Sequence, residues 1–124
     1  MLNEELIRGV LELRVAHARQ QIGRLGDEIR EVTLANRDTP ADDEHDPEGS
    51  TVTLERERDV ALLADAETQL AELLEAEARL ERGTYGSCER CGKPIPPERL
   101  EVRPEARFCV SCAGIRAREH RSAS

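Results

Sequence analysis

At 124 residues the chain has room for one compact domain, or for a small domain with an elongated appendage. Tyr85 and Phe108 are the only aromatic residues, there is no tryptophan and 35% of the residues are charged, which excludes a large globular core built on aromatic burial. The net charge of −8 is uneven, with 10 bases against 21 acids in residues 1–82 and 8 bases against 5 acids in residues 83–124, so the acidic body is unsuited to wrapping DNA through its phosphates.

The opening Met1-Leu-Asn-Glu-Glu is acidic and has no apolar core segment, so no leader is expected. No apolar run approaches the ~20 residues that span a bilayer. The expectation is a soluble, cytoplasmic protein.

From Asn3 to Arg37 apolar residues recur at Leu11, Val15, Ala18, Ile22, Leu25, Ile29 and Val32. The alternating steps of four and three residues make a sustained heptad seam. Asn3 ahead of Glu4 and Glu5 predicts an N-cap followed by acids in the first turn. Gly9, Gly23 and Gly26 lie off the seam, and packing against a partner has to offset their poor helix propensity. His17 is expected at the surface.

Residues 38–49 break the pattern. Pro40, Pro47 and Gly49 are read as helix stops. Asp38, Asp42, Asp43, Glu44, Asp46 and Glu48 stand there without a single Lys or Arg. This is read as the turn of a helical hairpin with negative charge at its tip, and His45 as an exposed loop residue among the acids.

A second arm runs from about Ser50 to Arg82, with Ser50 and Thr51 as candidate caps. Its seam is Leu63, Ala66, Leu70, Leu73 and Leu80, interrupted by Glu77, and Leu62, Leu74 and Ala78 widen the face. Folding back near Asp43 sets Leu25 opposite Leu63, Ile22 opposite Ala66, Ala18 opposite Leu70 and Val15 opposite Leu73. Large side chains face small ones in two of these pairs, as interdigitating layers prefer. Such an antiparallel coiled coil is a thin rod of about 48 Å.

After Gly83 and Gly86 the chain reads Cys88-Glu-Arg-Cys91-Gly92 and later Cys109-Val-Ser-Cys112, a C-x2-C-x17-C-x2-C spacing. Two such knuckles each project a pair of sulfurs to one side, enough for one tetrahedral zinc ion. A complete four-thiolate shell leaves no open position for substrate, so the zinc is structural and no enzyme is expected. Disulfides and a redox or iron–sulfur role are the alternatives for the quartet. Arg90, Lys93 and Arg107 stand near enough in sequence to offset the excess negative charge of four thiolates. Ile95, Leu100 and Val102 are read as short ribbon strands, residues 113–121 as a short basic helix, and residues 122–124 as a frayed end. His120 is not needed as a ligand.

The fold class is therefore mainly α: a long antiparallel helical hairpin over residues 1–83 with its acidic tip at 38–49, then a four-cysteine zinc ribbon with a C-terminal helix over residues 84–124. The chain resembles DksA/TraR-type four-cysteine zinc-finger proteins. The motifs that carry the resemblance are Gly83-Thr-Tyr85-Gly86-x-Cys88-x-x-Cys91-Gly92, Ile95, Arg99-Leu100-Glu101, Arg103-Pro104 and Cys109-x-x-Cys112. The resemblance implies a bacterial regulator that binds RNA polymerase rather than promoter DNA. Its hairpin enters the secondary channel and brings an acidic tip near the catalytic magnesium. No membrane association is expected, and a monomer is expected with a dimer of hairpins as the alternative. The family tip reads D-x-x-D-x-A; here Asp43 and Asp46 keep the acid spacing, Glu48 stands in place of Ala, and Asp42 adds a further acid. Two other readings of the same residues are an adaptor that presents a zinc ribbon on a coiled-coil stalk, and a nucleic-acid-binding finger using Arg116, Arg118 and Arg121.

Overall fold

The computed structural model describes residues 3–37 and 47–123. Four helices follow one another: α1 (Glu4–Arg37), α2 (Pro47–Arg82), α3 (Pro97–Val102) and α4 (Val110–Ala123). Among the described residues there is no strand beyond an isolated antiparallel bridge between Ser87 and Pro94. The chain divides into two compact units, one made of Met1–Val15 with Ala71–Ser124, the other of Ala16–Leu70.

In the first unit α1 starts as expected. The Asn3 side-chain carbonyl accepts hydrogen bonds from the backbone N–H of Glu5 at 3.1 Å and of Leu6 at 3.3 Å, satisfying two donors that the helix leaves open. Leu11 and Val15 of α1 are buried, as are Leu73, Ala76 and Leu80 of α2. The heptad seam therefore survives at Glu77 by running through Ala76, which is fully buried one residue earlier. The antiparallel register is visible in an ion pair between Arg8 and Glu81 at 3.1 Å, where the predicted alignment puts residue 8 opposite residue 80. The last turn of α2 closes with Gly83 in the left-handed region at φ 77°. There the Gly83 N–H donates to Leu80 O at 3.2 Å and the Thr84 N–H to Arg79 O at 2.9 Å. This double bond pattern is the Schellman closure, which glycine enters without a Cβ clash.

In the second unit Ala18, Leu25 and Ala66 are buried, with Ile22, Ile29, Val32, Leu63 and Leu70 half-buried. The predicted seam thus faces inward on both helices. Leu62 in this unit and Leu74 in the first stay 45% and 40% exposed, so the inward face is narrower than the sequence suggests. Asp59, one step before Leu63 along the seam, is buried as well. His17 is exposed, as expected.

Three local expectations are corrected. α2 begins at Pro47, not near Ser50, so Pro47 and Gly49 lie within the helix. Proline is well suited to the first helical position because the N–H it lacks would have no partner there, and its fixed φ is already helical. Leu100 and Val102 belong to a helix, α3, rather than to ribbon strands. Pro96 and Pro97 start it, Glu98 sits in its first turn, and Leu100 is its buried residue. α4 begins at Val110, three residues earlier than expected, and runs to Ala123 where a frayed end was anticipated. The acids Asp38, Asp42, Asp43, Glu44 and Asp46, with His45, lie outside the described residues, and Glu48 is described only as a backbone position of α2.

Candidate metal centre

The first knuckle is built by backbone hydrogen bonds. The Cys88 N–H donates to Lys93 O at 2.9 Å, and the Gly92 N–H donates back to Cys88 O at 2.9 Å. Gly92 lies at φ 75°, a conformation that a side chain disfavours by about 1–2 kcal/mol. The Ile95 N–H donates to Gly86 O at 2.8 Å, closing the hairpin beneath the turn. The second knuckle runs straight into α4: the Ala113 N–H donates to Cys109 O at 2.9 Å, so Cys112 rides on the first helical turn. The Glu89 N–H donates to Arg107 O at 2.9 Å and ties the two knuckles together.

Under this frame Cys88, Ile95, Leu100 and Cys112 form a small buried cluster, with Tyr85, Ala106, Phe108 and Cys109 packed against it. The sequence's scarce aromatic residues are both spent here. The Tyr85 hydroxyl donates to Pro104 O at 2.8 Å. The guanidinium carbons of Arg107 and Arg116 each lie 5.1 Å from the Phe108 ring centre. Arg99 Nε donates to Phe108 O at 2.9 Å, fixing the carbonyl just before Cys109.

The sulfurs of Cys88, Cys91, Cys109 and Cys112 all lie within 4.8 Å of one another, and among the described residues no other His, Cys, Asp and Glu group is so gathered. Cys91 Sγ and Cys109 Sγ are 4.0 Å apart. Tetrahedral zinc with bonds of about 2.3 Å sets its sulfurs about 3.8 Å apart, so the donor set fits the ion in type, number and spacing. Cys88 and Cys112 are buried, Cys109 is half-buried and Cys91 is exposed. The thiols do not ionise alike. Burial raises Cys88, but backbone hydrogen bonds from Cys91, Cys109 and Arg90 outweigh it and bring it down to about 6. Hydrogen bonding to the Cys109 side chain, together with burial, pushes Cys112 up to about 12. Four sulfurs held this close resist carrying four negative charges, and a divalent cation removes that conflict. The cofactor of this site is structural zinc, and its binding adds folding free energy to a segment with little core of its own.

The charges around the site are arranged differently from the sequence expectation. Arg90 is near enough to feel Cys112 and Cys88, but its main partner is Glu119 of α4, in a two-pronged pair at 3.0 and 3.2 Å. That pair lowers the Glu119 carboxyl below its ordinary value. Arg107 turns to Glu89 at 3.8 Å, and Lys93 contributes its backbone carbonyl. Arg79 carries no signal in the sequence pattern. This last-turn residue of α2 is 3% exposed, donates to Glu105 O at 3.4 Å and pairs with Glu89 at 3.8 Å. Glu105 is buried too and lies 3.8 Å from Arg103. Arginine and glutamate at these spacings resemble the solvated charges elsewhere on the helices, so nothing in the pattern singles them out.

Comparison with known proteins agrees with this geometry. Residues 83–117 match the model of the prokaryotic dksA/traR C4-type zinc finger. An uncharacterized protein of Aquifex aeolicus is 50% identical over 44 residues, 36% of this chain and 30% of that protein. YteA, an uncharacterized protein of Bacillus subtilis, is 42% identical over 64 residues, 52% of this chain and 27% of its own length. General stress protein 16O of Bacillus subtilis is 37% identical over 68 residues, 55% of this chain and 42% of its own length. The chain thus spans less than half of each of these relatives. The structure of transcription factor DksA2 from Pseudomonas aeruginosa superposes with a TM-score of 0.75 at 24% identity, covering 95% of this chain and 85% of that one. That likeness shows a common fold. Two long paired helices followed by a C4 finger are therefore a DksA-type fold, and residues 83–117 are similar to the prokaryotic dksA/traR C4-type zinc finger.

Proposed function

We propose that the protein is a transcription regulator that acts directly on bacterial RNA polymerase and catalyses nothing itself. The helical hairpin over residues 1–83 enters the secondary channel, and the acidic tip, with Asp43, Asp46, Asp42 and Glu48, comes near the active site. The zinc module over residues 84–124 stays outside as the base. One observation carries the reading: two paired helices of 34 and 36 residues bracket the acidic segment and lead into a four-thiolate finger. Carboxylates brought near a catalytic cation alter its electrostatics or order the loops around it. Zinc here supplies folding free energy, because its four cysteine ligands leave no position for a substrate.

The nucleic-acid reading is disfavoured by the basic side chains of the finger. Arg107 is engaged with Glu89 and Phe108, and Arg116 with Phe108. Among the described residues none of the helices is long and apolar enough to cross a membrane.

The test places a photo-crosslinking residue at position 45 and irradiates the zinc-loaded protein with purified bacterial RNA polymerase. Crosslinks to the walls of the secondary channel are expected. Crosslinks confined to the outer surface, or none above background, reject the pose. In a defined transcription assay Asp43→Asn with Asp46→Asn is expected to abolish the effect on initiation while binding persists. A double variant that regulates like the wild type rejects the tip.

A further inference from the structure

The first unit carries an apolar groove that neither the zinc site nor the proposed channel insertion uses. Its volume is about 370 Å³. One wall is the start of α1, with Leu6, Ile7 and Val10; the other is formed by Tyr85, Leu100 and Pro104 of the finger. Leu6 is 67%, Val10 37% and Leu13 74% exposed. Leu6, Val10 and Leu13 follow steps of four and three, the spacing of the buried seam, but on a different face of α1. A charge-rich chain that leaves a heptad stripe bare beside a groove has the form of a helix-in-groove receptor.

The charges around the groove select the occupant. Glu101 lines it, and Glu98, also exposed, lies on the same helix, α3. Among the described residues neither acid forms an ion pair. The neighbouring bases point elsewhere: Arg8 pairs with Glu81, Arg103 pairs with Glu105, and Arg99 lines a separate pocket with Arg103 and Phe108. The available charge at this face is therefore negative. We propose that the groove receives an amphipathic helix of a partner protein, with aliphatic anchors one turn apart and Lys or Arg on its flanks. A second copy of this chain is a poor occupant, because a two-fold contact would set the same acids against each other in a molecule of net charge −8.

The test uses the full zinc-loaded chain and two fluorescein-labelled helical peptides of about four turns. Both carry leucines at i, i+3, i+4 and i+7; one has lysines on its flanks and the other glutamates. By anisotropy the lysine peptide is expected to bind at least about tenfold more tightly than the glutamate peptide. Leu6→Ser with Leu13→Ser is expected to weaken it by about tenfold or more, with the unfolding midpoint unchanged because both side chains are exposed. Glu98→Lys with Glu101→Lys is expected to reverse the preference. Equal binding of the two peptides, or wild-type binding by the serine variant, overturns the proposal. So does a concentration-dependent dimer in sedimentation equilibrium that the serine variant abolishes, since that assigns the face to a second copy. RNA polymerase takes no part in these measurements, so their outcome is independent of the channel reading.

Discussion

Arg79 is the sharpest test of how the helices are joined to the finger. It lies 3% exposed in the last turn of α2, and its guanidinium reaches Glu105 O at 3.4 Å and Glu89 at 3.8 Å. Burial opposes its charge, with Glu89 acting the other way. Its Nη1 has no hydrogen-bond partner, and neither has Glu105 Oε2. Arg79→Met keeps most of the stem and removes the charge. A hydrogen bond to a charged group is worth about 1.5–3 kcal/mol, and a long one falls at the low end. The pair with Glu89, whose side chain is 39% exposed, adds about 0–1 kcal/mol. Relief of the buried cation's lost hydration offsets part of this. The net expectation is a destabilisation of about 1–2 kcal/mol, against the ~3–5 kcal/mol of breaking a tight buried pair. Arg79→Ala also deletes the stem and leaves a cavity, raising the loss to about 3 kcal/mol. Urea unfolding of the zinc-loaded protein measures both, and a double-mutant cycle with Glu89→Gln should give a coupling below about 1 kcal/mol. A coupling near 3 kcal/mol, or an Arg79→Met variant as stable as the wild type, refutes the reasoning.

At pH 7 Cys88, at about 6, is already ionised while Cys112, at about 12, is protonated. Zinc binding should therefore release protons, affinity should fall as pH falls, and calorimetry in two buffers of different ionisation enthalpy should show a buffer-dependent heat; identical heats contradict this. Tyr85→Phe should cost about 1 kcal/mol by orphaning the Pro104 carbonyl. Burial raises the Tyr85 phenol above its ordinary value, so the wild type should lose stability as pH rises beyond about 10, where the unfolded chain sheds that proton first, and the phenylalanine variant should lack that step in pH-dependent denaturation. Gly92→Ala, at φ 75°, should destabilise the finger by about 1–2 kcal/mol and speed zinc release to a chromophoric chelator; unchanged release means the knuckle turn relaxes freely.

Much of this protein is legible in its residues because its elements obey short-range rules. A heptad seam needs only a count of apolar steps, and it located Leu11, Val15, Ala18 and Leu25 on the buried face before any coordinates. The N-cap at Asn3 follows from one side-chain oxygen within reach of its own helix. The cysteine quartet is legible for the same kind of reason, since thiolate chemistry and a two-residue knuckle leave few alternatives. Errors fell where one residue type serves opposite ends. Proline stops a helix from within but also begins one, so Pro47, read from the sequence as a stop, instead opens α2, and α3 stands where strands are expected.

The sequence by itself determined the helical pair, its antiparallel register and the identity of the metal ligands, because period, capping and ligand spacing are local properties of the chain. Only the tertiary structure decided which charges are structural. Arg79, Glu89 and Glu105 are separated widely in sequence, and only their burial at the junction of α2 and the finger distinguishes them from solvated residues of the same type. It likewise decided that Leu6, Val10 and Leu13 stay bare, since which of two apolar stripes on α1 is covered depends on where the rest of the unit packs. Periodicity marks a face as apolar; the surroundings it meets after folding determine whether that face is core or surface.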